Sequence, residues 1–281
     1  MLKIAHIINV AEITESNKKS YLHIAQPVTF KSMIVAKHMA KEVVEVELCA
    51  VKHQHESVDI PSEFKWAKSI DKYAYEYIES LRDIVPRKPL PRVKDILLSL
   101  YESSVADYYI YTNLDIALYP DFYLKVNDFI LDGYDALCIN RRDLTKTYQD
   151  VLLDEDKLEL AFMTDGKKHR GIDCFVFKRE VVPLLDLGNV YIGFPPIGQV
   201  LKTQIELHSR KFLWIKDKQC TFHLGSDRYW RESQGEYASE NMKQANSLYV
   251  PCFEASCKPS QIVIIKNKLR FWLKRLIQLL E

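Results

Sequence analysis

The sequence predicts a layered α/β fold with parallel strand pairs. Two observations carry this: a strand, helix, strand succession occurs twice in the first half of the chain, and about a dozen helical residues separate the first two strands, as a crossover between parallel neighbours does. Lys3 to Val10 is the first strand, Val28 to Lys41 a helix and Val44 to Val51 the second strand, so a right-handed crossover joins a parallel pair. Ile84 to Pro91 holds three of the eleven prolines and is expected to be a surface connection. The second unit follows: a helix over Val93 to Ser103, a strand over Ala106 to Thr112, a helix over Pro120 to Leu131 with proline at its start, and a strand over Tyr134 to Asn140. Beyond Asn140 a charged, irregular segment runs to Lys168. After it come a strand over Ile172 to Phe177, a short helix over Glu180 to Leu187, a turn at Gly193 to Gly198 and a helix over Gln199 to Ser209. Phe212 to Ile215 and Cys220 to His223 read as two short strands meeting at a turn. No internal repeat is present.

Composition narrows the function classes. Only eight of the 281 residues are glycine and the first is Gly133, which excludes a G-x-G-x-x-G dinucleotide turn after the first strand; no Walker-type loop occurs anywhere. A bound diphosphate would therefore be met by side chains and an ion. With 47% hydrophobic and 27% charged residues the chain can bury a substantial core. The balance of 39 basic against 38 acidic residues gives no global field for nucleic acid, so no nucleic-acid partner is expected. The scattered cysteines, such as Cys138 in an apolar run, read as buried thiols of a reducing compartment. The pair Cys252 and Cys257 lacks the second close pair that a metal site needs. The apolar run at the N-terminus is too short for a signal peptide and no segment reaches the length of a membrane span, so a cytoplasmic location is expected.

The most informative segment is Asp107 to Asp115. A run of aromatic and β-branched residues delivers Thr112, Asn113 and Asp115 to the end of a buried strand, where open α/β sheets bind ligands. If the chain stays extended, Asn113 and Asp115 approach one ion together; magnesium and manganese take one or two carboxylates plus phosphate oxygens. The competing reading is a polar cap and turn into the next helix. His223 follows a short apolar strand and precedes Gly225, Arg228 and Trp230, which suits a ligand-facing loop: imidazole is a good metal ligand, and arginine offsets phosphate charge.

These clusters resemble the nucleotide-sugar glycosyltransferases of the GT-A fold, in particular small bacterial proteins of surface-polysaccharide assembly. The likeness lies in Tyr111-Thr-Asn-Leu-Asp-Ile116, in Ile139-Asn-Arg-Arg142 and in the set His223, Gly225, Arg228 and Trp230, and spans about Met1 to Trp230. It implies a three-layer α/β/α domain over 1–235 with a central, mostly parallel but mixed sheet, and a C-terminal extension over 236–281. It also implies a divalent cation, Mn2+ or Mg2+, on Asp115 and His223 with Asn113 as a weaker ligand that also contacts the nucleotide's ribose, and a nucleotide base at Asn9 and Val10. Asparagine at 113 stands where the family usually has aspartate, and arginine replaces its lysine. A nucleotidyltransferase is disfavoured, because that relative of the fold uses a glycine-rich loop near its N-terminus.

Three further placements are expected. Arg141 and Arg142 at a strand end face a diphosphate, an acidic acceptor, or solvent in a charged turn. Asp173, Gln199 and Glu206 are candidates for the acid-base or stabilising group. Residues 266–281 form a basic amphipathic helix with Leu269, Trp272, Leu273 and Leu276 on one arc, suited to a membrane surface or to packing on the domain. The expected activity is transfer of a sugar from a nucleoside-diphosphate donor to a glycan or lipid-linked acceptor by a membrane-peripheral enzyme. The alternative is a catalytically silent module that binds glycan or protein at the membrane surface.

Overall fold

The computed structural model describes residues 1–14, 22–144, 158–224 and 235–249. Arg228, the remainder of its loop, the two C-terminal cysteines and the helix expected over 266–281 lie outside the described residues.

Among the described residues nine strands form one sheet: β1 (Leu2–Asn9), β2 (Val44–Val51), β3 (Phe64–Trp66), β4 (Tyr108–Thr112), β5 (Ile116–Leu118), β6 (Ala136–Asp143), β7 (Lys167–Lys178), β8 (Phe212–Ile215) and β9 (Thr221–His223). Their order is β3-β2-β1-β4-β7-β6-β9-β5, with β8 beside β6. The first four positions are parallel, β7 runs antiparallel to both β4 and β6, and β8 and β9 lie parallel to β6. Mixed pairing starts where β7 inserts between the two halves.

The seven α-helices among the described residues are α1 (Leu22–Ala40), α2 (Ala74–Tyr77), α3 (Val93–Ser103), α4 (Phe122–Leu131), α5 (Leu158–Phe162), α6 (Ile197–Leu207) and α7 (Gly235–Tyr249). Strand alternation divides the core into two layers. Ile4, Ile8, Tyr108, Ile110, Leu137 and Val176 pack under α1 and α4 through Phe30, Met33, Phe122 and Val126. Ala5, Ile7, Tyr109, Tyr111, Phe175 and Phe177 pack under α3 and α6 through Ile96, Leu100, Val200 and Ile205. The result is the three-layer α/β/α arrangement expected, with a mixed sheet. Helix α7 begins at Gly235 and closes a further aromatic cluster, in which Tyr237 stacks on Phe194 and accepts the Tyr191 hydroxyl at its carbonyl.

Several local expectations change. α1 begins six residues before Val28 and runs through Pro27, giving up one backbone donor to lengthen its packed face. Pro120 precedes α4 rather than opening it, and the short helix after β7 is a 3-10 turn over Arg179–Leu184. The segment before Lys168 contains α5, and β7 begins earlier than Ile172. β8 and β9 do not meet each other: each pairs with a different stretch of β6. Three-residue strands β3 and β5 carry too little pattern to be read locally.

Candidate active site

Asn113 and Asp115 sit at the C-terminal end of β4, but the chain does not stay extended between them. Ile116 N–H donates to the Asn113 carbonyl at 3.1 Å, closing a tight turn into β5. The turn sends the two side chains to different partners, so the condition under which they would approach one ion together is not met.

Asp115 is directed to His223. β5 pairs antiparallel with β9, Ile116 opposite His223, and Leu224 N–H donates to the Asp115 carbonyl at 2.8 Å. That register holds His223 Nε2 at 3.0 Å from Asp115 Oδ2. Burial alone would raise the Asp115 carboxyl, but the charge and hydrogen bond of His223, aided by Arg141, hold it below the ordinary range. The Asp115 side chain keeps 27% exposure against 7% for His223, so the carboxylate is the open edge of the pair.

Asn113 is directed to Asp173. The β4–β7 ladder places Thr112 opposite Cys174, so Asn113 and Asp173 face one another one step further on. Asn113 Nδ2 donates to Asp173 Oδ1 at 3.1 Å, while its Oδ1 accepts the Tyr111 hydroxyl at 3.0 Å. The Tyr111 phenol is driven upward by burial and remains a donor.

Asp173 also accepts Arg141 Nη1 at 3.1 Å, and Arg141 Nε reaches Asp143 at 3.2 Å. Burial raises the Asp173 carboxyl, with the Asp115 charge adding to the rise and Arg141 opposing it. Two neighbouring carboxyls thus shift in opposite directions, a pattern that separates an ionised group from a proton acceptor. Irregular β6–β7 pairing around Asn140 puts Arg141 and Asp173 on one side. Gly171 leaves room there: a Cβ would lie 2.8 Å from both Asp173 Oδ2 and His169 Nδ1.

The remaining candidates lie apart from this cluster. Arg142 turns to the Asp217 carbonyl, as alternation along a strand demands, and its buried Nε has no partner among the described residues. Gln199 folds back onto Thr203 at 3.4 Å, although its helix starts against β7, where a Cβ on Gly198 would sit 2.6 Å from the Ile172 carbonyl. Glu206 pairs with Lys202 at 2.5 Å, about 10 Å further along α6. Lys202 itself lies over the Phe212 and Trp214 rings. Asn9 donates to the Val51 carbonyl at 3.0 Å and Val10 is a core side chain, so Val10 offers no side-chain polar group at that strand end.

Sequence reasoning quoted Tyr111 within its motif without giving it a role, and gave none to Asp143, His169 or Trp214. His169 Nδ1 accepts Gly171 N–H at 2.9 Å, and Trp214 Nε1 donates to Asn140 at 2.7 Å, whose amide in turn holds the His169 carbonyl. These contacts join three strands, and no local pattern announces them.

Among the described residues no three His, Cys, Asp or Glu side chains converge on a metal position. The pair Asp115 and His223 nonetheless fits part of one. Bonds of about 2.1 Å at right angles put two octahedral ligands about 3.0 Å apart, the separation observed here.

No protein-family model and no curated protein matches the chain. Solved structures do. Staphylococcus aureus TarS 1–349 in complex with UDP-GlcNAc is similar over 92% of this chain and 68% of its own, with a TM-score of 0.52 and 9% identity. A second structure of S. aureus TarS 1–349 matches over 96% of this chain and 72% of its own, with a TM-score of 0.51 and 10% identity. With the three layers and the mixed sheet, these likenesses establish that the chain has a GT-A-like fold, the fold of nucleotide-sugar glycosyltransferases.

Proposed function

We propose that this protein is a glycosyltransferase that moves a sugar from a nucleoside-diphosphate donor to a glycan or lipid-linked acceptor. The observation that carries the reading is the juxtaposition, at the C-terminal end of β4, of the Asp115–His223 pair and the buried Asp173. The UDP-GlcNAc held by TarS supports a donor of the same class. Asp115 and His223 are the residues that would hold a divalent cation, Mn2+ or Mg2+, with the donor's phosphate oxygens supplying other ligands; a bound cation would supply charge to offset the leaving diphosphate. Arg228 is proposed to add a second positive charge there.

Asp173 is the group suited to take the acceptor's proton. As the sugar's anomeric carbon leaves the diphosphate oxygen and bonds to the acceptor oxygen, that oxygen loses its proton, and a carboxylate raised by burial is the stronger base for it. Arg141 orients it through Oδ2, and Asn113 through Oδ1. Gln199 and Glu206 have no such role in this reading, and Asn113 is a positioning group rather than a metal ligand. Assembly of a surface polysaccharide on the cytoplasmic side of a membrane is the setting we propose, with residues 266–281 as the membrane contact. No helix among the described residues is long and apolar enough to cross a membrane.

Isothermal titration with UDP and GDP, with and without Mn2+, tests the site. Binding is expected in the presence of the ion, and Asp115→Ala or His223→Ala should weaken it by about 10- to 100-fold. Binding indifferent to both substitutions refutes the assignment. One observation favours a silent binding module instead: the Asn113 amide is engaged on both sides, by Tyr111 and Asp173. That reading predicts nucleotide binding without release of free sugar from any donor, and slow donor hydrolysis excludes it.

A further inference from the structure

The β6–β7 ladder loses its register at the edge of the site, and side chains take over from it. From Cys138 to Asp143 β6 advances five residues, while β7 uses eight from Phe175 to Lys167 over the same pairing, so β7 carries three extra residues. They form an arch within His169 to Asp173. Irregular pairing of this kind re-aims side chains: continued from Ile139 and Cys174, the regular register would set Asp173 opposite Asn140.

Two side chains on neighbouring strands hold the arch. Asn140 is 6% exposed, and its Nδ2 donates to the His169 carbonyl at 3.0 Å, in place of a ladder bond. Its Oδ1 accepts Trp214 Nε1 at 2.7 Å. An indole nitrogen only donates, so this bond fixes which end of the amide faces the arch. Trp214 stands on β8 opposite Cys138, which shares a strand face with Asn140. Its ring is held in turn, with Lys202 Nζ 4.9 Å and Lys216 Nζ 4.3 Å from the centroid. Lys202 is buried on α6 and pairs with Glu206. The same helix abuts the arch at Gly198, where a Cβ would meet the Ile172 carbonyl.

The arch also closes on the site. His169 Nδ1 accepts Gly171 N–H at 2.9 Å, and Asp173, two residues further on, meets Arg141 and Asn113. A Cβ at 171 would lie 2.8 Å from both His169 Nδ1 and Asp173 Oδ2, so the turn and the carboxylate pack as one unit. A shift of the His169 carbonyl is therefore passed to Asp173.

We infer that Asn140, set by Trp214, is a positioning group for Asp173. The two side chains hold the arch in the shape that brings the carboxylate to Arg141 and Asn113, and they act through the arch rather than on a reacting group. The inference deepens the glycosyltransferase reading: the part of Asp173 in the transfer rests on that reading, whereas its placement by Asn140 and Trp214 does not. A displaced base slows the chemical step and leaves donor binding intact.

Trp214→Phe, which keeps an aromatic ring and removes the donor, and Asn140→Ala test this on the full chain by two measurements. Hydrogen exchange should become faster at Gly171 and its neighbours in the arch, and stay unchanged in β1 and β2. Hydrolysis of UDP-GlcNAc or UDP-glucose, whichever the wild type turns over, should show kcat about tenfold lower, with KM and the affinity for UDP with Mn2+ within about twofold. The double variant should lose no more than Asn140→Ala, because the two side chains act in one line. Lys216→Gln leaves the indole bond in place and should change neither measurement. Exchange at Gly171 as slow as in the wild type overturns the inference. So does an unchanged kcat, a loss of UDP affinity that matches the loss of turnover, additive losses in the double variant, or an equal loss in Lys216→Gln. Should Asn140→Ala fail to fold, Trp214→Phe carries the same readouts. Absence of hydrolysis in the wild type counts against the donor reading, and exchange alone then decides the placement.

Discussion

His6 makes the stability of the fold depend on pH in a way that can be calculated. It lies in the middle of β1, fully buried, with Nδ1 2.8 Å from the Tyr123 hydroxyl and Nε2 2.9 Å from Thr112 Oγ1. Burial lowers its pKa from 6.5 to about 3, so the folded protein holds it neutral while the unfolded chain does not. A lowered folded value means that the favourable contribution is complete above the unfolded pKa and is lost as pH falls from 6.5 toward 3. At pH 5, about 1.5 units below the unfolded value and well above the folded one, the loss is about 2 kcal/mol. Urea unfolding of the wild type and His6→Gln at pH 7 and pH 5 measures it. Other groups titrate equally in both proteins, so the wild-type advantage over the variant should shrink by about 2 kcal/mol at the lower pH. An advantage equal at both values would refute the reasoning. Thr112 is the last residue of β4, so protonating His6 would also disturb the strand end that carries Asn113.

Three other outcomes follow from the packing and charges of the site. Gly198→Ala should destabilise the protein by about 1–3 kcal/mol, because the new methyl meets the Ile172 carbonyl, whereas Gly235→Ala, with nothing within 4 Å, should not; thermal unfolding separates the two, and equal melting temperatures would remove the steric argument. Asn113→Asp would place a carboxylate against Asp173 and should cost about 1–3 kcal/mol at pH 7, recovered as the pH falls through the carboxylate range. A deficit unchanged between pH 7 and pH 4 would argue against charge repulsion. Arg141→Met strands Asp173 and Asp143 and should cost about 3–5 kcal/mol by denaturant unfolding. A loss below about 1 kcal/mol would show that the pair is not electrostatically buried.

The strand, helix, strand units were legible because β4 is an unbroken buried run, β1 is nearly so, and β2 alternates Val44, Val46 and Leu48 with Glu45 and Glu47. Legibility failed where pairing is long-range or elements are short. β8 and β9 are neighbours in sequence, yet nothing local says that each belongs to β6. The site divides in the same way. Asp115 and His223 stood out by residue type and position, but only the β5–β9 register brings them within 3.0 Å. The divergence of Arg141 and Arg142 follows from strand alternation and was available in principle. The engagement of Arg141 by Asp173 was not, because it depends on irregular pairing 32 residues away.

The pairing of β9 has a consequence for how the site is assembled. Asp115 and His223 are 108 residues apart, and their approach depends on two three-residue strands, one of which reaches β6 through only Arg142 and Asp143. Bringing residues so far apart together carries a loop-closure cost that these few strand bonds must offset. The strand that delivers His223 is therefore a clasp held by few bonds, and a ligand that bridges the pair would tighten it. Added ligand should raise the apparent stability of the sheet edge in proportion to the logarithm of its concentration, so that amide exchange in β5 and β9 slows while β1 and β2 remain unaffected.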